Sequence, residues 1–329
     1  MALADAKLVE ARRLLRGGKI AERAGDLKEA KNLYRRGLIL DPNASPADWD
    51  LLEETPRLFR ERRALYSLLA IRVEDMSRAC RLESKQDHEV PPSNPLTFVY
   101  WGQGFSSAPP IVQACYRQAQ QLHASSEIVF LDDSNLHDWV TFPPHVTDIS
   151  NISRAAFSDV LRFELLAKYG GIWMDATCMP MKRMQDVYPE LVAGSGFFAF
   201  GKDKPGLISN WFLASEQGNY ITRMTRDALK LYWGTYDRPI TYFFMHHLFM
   251  YLYRLDDRFG SLWDKATVRP DDPRAVNRSM LKEQEEVNLG VLLSGSFVHK
   301  LSHKYGPDVA SPTSVQQALV DSFAAQLIS

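Results

Sequence analysis

The spacing of apolar residues changes along this 329-residue chain, and the change predicts two kinds of structure. Between residues 11 and 44 the spacing is helical and is broken once, at Gly25-Asp26, which predicts a hairpin of two helices. Asp26 is placed to cap the second helix with Glu29 at its third position, and Asp41-Pro42-Asn43 to stop it. One hairpin cannot cover both of its faces. Leu58, Leu65, Leu68, Leu69, Ile71 and Val73 give residues 57–84 a helical apolar face that supplies a partner for it. A polar stretch ending in Pro91-Pro92 then reads as a linker.

From Leu96 the pattern shortens. Leu96 to Trp101 is a β-rich run closed by Gly102 and Gly104, Pro110 to Leu122 has helical spacing, and Glu127 to Leu131 is a second short strand. Strand, helix, strand predicts a parallel α/β sheet, which gathers ligands at the carboxyl ends of its strands. The chain therefore divides into a helix hairpin at 1–44, a helical extension and linker at 45–92, and an α/β domain at 93–329. The Asp132-Asp133 pair reads first as turn chemistry or a helix cap. Thr241 to Tyr253 is too short to cross a bilayer and carries His246 and His247, so it reads as a buried element.

Composition adds limits. At 45% hydrophobic and 24% charged the chain is an ordinary globular one. Lys plus Arg, 39, against Asp plus Glu, 40, leaves no broad field to draw in nucleic acid, so any anion site must be local. Cys80, Cys115 and Cys178 are odd in number and far apart, which excludes a disulfide framework or a structural zinc site. Met1 to Leu15 lacks the apolar core of a signal peptide. A cytoplasmic protein without a transmembrane segment, at most peripheral to the inner face of the membrane, is expected.

The chemistry concentrates between Ser153 and Thr177. Phe157, Leu161 and Leu165 form one stripe of a helix, while Ser158, Asp159 and Arg162 share another face. Gly170-Gly171 ends the helix, Ile172-Trp173-Met174 makes a very short strand, and Asp175 emerges at its carboxyl end. A carboxylate accepts hydroxyl donors and Arg donates without losing its charge, so Asp159 and Arg162 suit a sugar, and Asp175 suits a divalent cation on a diphosphate. Each alone has a plainer explanation, Asp159 with Arg162 as a surface ion pair and Asp175 as a turn residue or cap.

The joint spacing S-D-x-x-R, then L-x-x-Y-G-G-I-W-x-D, resembles the capsular polysaccharide synthesis glycosyltransferases and their relatives with the sugar-binding DxD region. Tyr100-Trp101-Gly102-Gln103-Gly104 is similar to that family's opening strand, Asn210 to Ser215 to its central strand, and Lys300-Leu301 with Lys304 to its terminal signature. The resemblance runs from Leu96 to Lys304. It implies an α/β fold of the GT-A (Rossmann-like) type, a nucleotide-sugar-binding domain here preceded by a small all-α helical region. It further implies a UDP-sugar donor, a glycan acceptor and retention of anomeric configuration.

Residue by residue, it implies that Trp101 stacks near the uracil, with Tyr100, Gln103, Ser158 and Gly171 also on the donor. Asp159 and Arg162 would bind ribose and donor sugar, and Lys300 and Lys304 the phosphates. Asn210, Trp211 and His246 would line the acceptor or sugar pocket. Asp175 and Arg162 would carry the catalysis, and Asp175, Thr177 and His299 would hold Mn²⁺ or Mg²⁺. Thr177 departs from the pattern, because it stands where DxD has its second carboxylate. Upstream, Gly18, Ala30, Tyr34 and Pro42 resemble a tetratricopeptide unit of about 34 residues, with Gly37 where the template has Ala. That implies a platform for a protein partner, beside the plainer reading of a helical extension. Two other functions use the same residues: an adaptor that binds a sugar nucleotide without turnover, and a transferase that modifies a protein.

Overall fold

The computed structural model describes residues 2–24, 26, 29, 32–33, 36–37, 40, 56–83, 94–142, 153–201, 208–239, 244–305 and 310–324. Contacts divide the chain into two units, 1–72 with 239–251 and 73–238 with 252–329.

In the first unit, α1 (Ala2–Arg23) buries Ala11, Leu14 and Leu15. Asp26 Oδ1 accepts from the Glu29 N–H at 3.0 Å, the cap that the sequence predicts. Gly37 has a packing reason: a Cβ there would lie 2.7 Å from Leu15 Cγ and 3.1 Å from the Ala11 carbonyl oxygen. Ala30, Tyr34, the Asp41-Pro42-Asn43 stop and the Pro91-Pro92 linker lie outside the described residues.

Helix α2 (Pro56–Glu83) gives its residues up to Arg72 to the first unit and the rest to the second. Leu65, Leu69, Val73, Ser77 and Cys80 are buried at spacings of three and four. Ile71, expected on that face, is 74% exposed, because it falls midway between two buried turns. The expected buried element around His246 is α7 (Phe244–Leu255), in which Phe244, Met245, Leu248 and Phe249 are buried.

The second unit holds β1 (Thr97–Tyr100), α3 (Pro110–Leu122), β2 (Ile128–Leu131), α4 (Arg154–Tyr169), β3 (Gly171–Met174) and β4 (Cys178–Pro180). After these come α5 (Met184–Val192), β5 (Phe197–Phe200), β6 (Ser209–Ser215) and α6 (Tyr220–Trp233). Beyond α7 follow α8 (Asp257–Lys265), α9 (Leu289–Ser294), β7 (Val298–Lys300) and α10 (Val315–Ala324). The end of α2 is fixed in this unit by Ser77 Oγ at 2.7 Å from Tyr220 Oη and by Glu83 at 2.9 Å from Arg226 Nη2.

The main sheet has the order β2-β1-β3-β6-β5. The expected parallel pairing holds for β1 with β2 and with β3, whereas β6 runs against both β3 and β5. The reason is local: β5 and β6 are joined by a short stretch, and antiparallel neighbours need no crossover helix. Because β6 is reversed, its first residues, Ser209 and Asn210, lie at the edge where β1, β2 and β3 end. A second, two-stranded sheet pairs β4 with β7. Phe198, Phe212 and Phe297 are fully buried in the core beneath, each contributing about 1.5–3 kcal/mol. Among the described residues no helix is long and apolar enough to cross a membrane.

Candidate functional site

The site begins with the way α4 starts and stops. Ser153 caps it by accepting from the Ala156 N–H, and the Phe157, Leu161 and Leu165 stripe is fully buried. It ends at Gly170, whose φ of 67° is open to glycine but strained for other residues. Gly171 follows at φ 89°, and a Cβ on it would lie 2.2 Å from the Leu96 carbonyl oxygen. The tight reversal drops the chain straight into β3, which delivers Asp175 to the sheet edge.

Four charged groups meet there. The Arg162 side chain is only 5% exposed and reaches Asp159 Oδ1 at 3.1 Å and Asp175 Oδ1 at 3.5 Å. It also donates to the Asn210 carbonyl at 2.6 Å and to Ser158 Oγ at 2.8 Å, with its guanidinium 5.1 Å from the Trp173 ring centroid. Asn210 Nδ2 donates to Asp159 Oδ1 at 2.7 Å, and Trp173 Nε1 to Asp175 Oδ1 at 3.0 Å. Lys300 Nζ closes the network, donating to Asp175 Oδ2 at 2.8 Å and to Thr177 Oγ1 at 2.6 Å.

The two carboxyls titrate differently. Burial pushes Asp159 up to about 6, against the pull of Arg162 and with the push of the nearby Asp175 charge. Burial opposes ionisation of Asp175 too, but Lys300, Arg162 and the Trp173 hydrogen bond together hold it below the usual carboxylate range. Asp175 is thus a fixed anion between two cations. Asp159 is a carboxylate whose charge is poised near neutral pH, able to accept hydroxyl donors.

A second cluster lies on the rim, at the ends of β1 and β2. Tyr100 Oη donates to Asp133 Oδ1 at 2.5 Å and Arg154 Nη1 to Asp133 Oδ2 at 2.8 Å. Gly102 lies against this triad, since a Cβ on it would fall 2.1 Å from Arg154 Nη1. Half-buried Trp101 meets the His303 ring edge-on at 5.5 Å between centroids. Beside it, Phe105, Tyr116, Arg117, Phe130 and Asp132 line an open pocket of about 370 Å³, in which Phe105 stacks on Tyr116 at 4.7 Å.

Of the residues expected at the site, Ser158, Asp159, Arg162, Asp175, Thr177, Asn210 and Lys300 come together, while Tyr100 ends β1 at the rim and Trp101 and exposed Gln103 come just after it. Gly171 does not join them. It opens β3, at the far end of the strand from Asp175, and shapes backbone instead. Trp211 meets Asp175 through its backbone carbonyl, which accepts from the Asp175 N–H at 2.9 Å, while its ring stacks on Phe200 at 5.1 Å. Lys304 is exposed, and His246 belongs to the other unit.

His299 is not brought to Asp175. Side chains alternate along β7, so where Lys300 meets Asp175, His299 faces the other way, fully buried with Nε2 3.0 Å from the Leu293 carbonyl oxygen. Sequence reasoning missed Arg154 and took Asp133 for a turn residue. Asp132 does make the turn, accepting from the Ser134 N–H at 2.8 Å.

The donor set does not fit a divalent ion. Hard cations want several oxygens, chiefly carboxylates, whereas here both Asp175 oxygens already face Arg162 and Lys300, and Asp159 is engaged by Arg162 and Asn210. The neighbouring Thr177 hydroxyl accepts from the same ammonium. Among the described residues no three His, Cys, Asp or Glu side chains cluster as metal ligands would.

A family model described as capsular polysaccharide synthesis protein matches residues 55–319. The match takes in α2, so the family region starts upstream of the Leu96 at which the sequence motifs begin. No curated protein and no solved structure matches the chain.

Proposed function

The chain belongs to the capsular polysaccharide synthesis protein family, and on that premise we propose that it is a glycosyltransferase, moving a sugar from a UDP-sugar donor to a growing surface glycan. The observation that carries this reading is the network of Asp159, Arg162, Asp175 and Lys300 at the carboxyl edge of the sheet. Its parts suit a nucleotide sugar in sequence. Trp101 offers a ring to the uracil, Asp159 accepts hydroxyls of ribose or sugar, and Lys300 meets the diphosphate. Arg162 holds both carboxylates in place, a positioning role for a residue whose Nε, Nη1 and Nη2 are each engaged by hydrogen bonds.

The sheet order, with one reversed strand among four that run together, supports a GT-A domain. Retention of configuration goes with the same reading. In the first unit, the Asp26 cap and the close approach of Gly37 to α1 support one tetratricopeptide-like hairpin that offers a surface to a protein partner.

The test is a thermal melt against a panel of nucleotide sugars, free sugars and ATP. At about 100 times the dissociation constant a ligand adds roughly 2.7 kcal/mol, enough to raise the melting temperature measurably. UDP and at least one UDP-sugar should do so, and ATP and free sugars should not. A melt indifferent to every UDP compound would remove the donor assignment.

A further inference from the structure

We propose that the Lys300 ammonium, held between Asp175 and Thr177, does the work of a divalent cation at this site, so that the donor's diphosphate is bound without metal. The inference rests on the nucleotide-sugar reading above and adds to it the group that meets the leaving charge.

Three observations carry it. Lys300 Nζ lies 2.8 Å from Asp175 Oδ2 and 2.6 Å from Thr177 Oγ1, spanning the two positions that a pair of carboxylates would use to hold an ion. Charge is the second. Around Asp175 one carboxylate faces two cations, Lys300 and Arg162, while Asp159 is engaged by Arg162 and Asn210. Arg162 and Lys300 thus balance Asp159 and Asp175, and the neutral Thr177 keeps the network from going negative, whereas a second Asp there would repel an incoming diphosphate unless a metal offset it.

The third is rigidity. Lys300 sits on β7, paired with Cys178 of β4, and the next residue, Leu301, donates its N–H to the Thr177 carbonyl at 2.8 Å. The ammonium is therefore positioned when the protein folds, which is what makes a charge effective at the moment of reaction. In the transfer, the bond from the anomeric carbon to the β-phosphate oxygen breaks and its electron pair stays on UDP, next to Lys300. The acceptor hydroxyl bonds the anomeric carbon, and its proton passes to the departing phosphate.

The experiment is calorimetric titration of the full chain with UDP and with uridine, in EDTA and in MnCl₂, for wild type, Lys300→Met and Lys300→Arg. Wild type should bind UDP with dissociation constants that agree within about twofold in the two buffers. In EDTA, Lys300→Met should weaken UDP by about tenfold or more and leave uridine unchanged, because a charge-assisted hydrogen bond to phosphate is lost. Lys300→Arg should recover most of the loss. Should the Met variant melt early, Lys300→Gln takes its place.

UDP affinity that requires Mn²⁺, with uridine bound in either buffer, would overturn the inference and leave the nucleotide-sugar reading standing. So would a Lys300→Met protein that binds UDP as wild type does in EDTA. Failure of wild type to bind UDP or uridine in both buffers would overturn the two together.

Discussion

Two clusters at the same sheet edge use the same chemistry to different ends. On the rim, Asp133 is paired with Arg154, and the side chains are 37% and 48% exposed. Inside, Asp159 and Asp175 are paired with Arg162 and Lys300, whose side chains are 5% and 17% exposed. An exposed pair gains about 0–1 kcal/mol, since water and salt screen it. A buried network is costly to assemble, and costly to leave half assembled, because each charge depends on its partners. The inner cluster is therefore the rigid one, and the rim is free to adjust around a ligand.

Truncating the arginines tests that difference at its largest. Arg162→Ala leaves two carboxylates without their shared partner and should lower unfolding free energy by about 3–5 kcal/mol in a urea titration. Arg154→Ala should cost less than about 1 kcal/mol in the same measurement. Equal costs would erase the distinction.

The pH dependence sharpens it further. With Asp159 pushed up to about 6, kcat/KM should fall roughly tenfold per pH unit below that value, as the hydroxyl acceptor is lost, and level off above it. Asp159→Asn should abolish that limb. Stability carries opposite signs for the two acids. The folded state holds the Asp159 proton more tightly than the unfolded chain does, so this group's contribution is largest in acid and declines as pH rises to about 6. The contribution of Asp175 is present at neutral pH and lost as pH falls through its lowered folded value.

How far the sequence reveals this site depends on distance along the chain. The stretch from Ser153 to Asp175 is legible because its rules are local: a serine cap, a stripe of three buried residues, and a glycine at positive φ. Asp159, Arg162 and Asp175 follow from it. The contact of Lys300 with Asp175 spans 125 residues and exists because Cys178 pairs with Lys300 across β4 and β7. No periodicity in either segment announces that pairing, which is why a lysine was expected near the phosphates but its place between Asp175 and Thr177 was not.

The reversal of β6 was hidden for the same reason, and with it the arrival of Asn210 beside Asp159. Ile71 shows the opposite failure. An apolar residue inside a helical run was assigned to the buried face, though the burial stripe of Leu65, Leu69 and Val73 excludes it.

Release of UDP from a panel of UDP-sugars, by wild type and by Asp175→Asn in the presence of EDTA, tests the central claim most directly. Asp175 pins the cationic groups that meet the donor, and its amide keeps the shape while losing the charge. Wild type should release UDP from at least one donor without metal, and Asp175→Asn, folded by its melting curve, should do so about a hundredfold more slowly or worse. A folded Asp175→Asn protein that releases UDP at the wild-type rate would contradict the account.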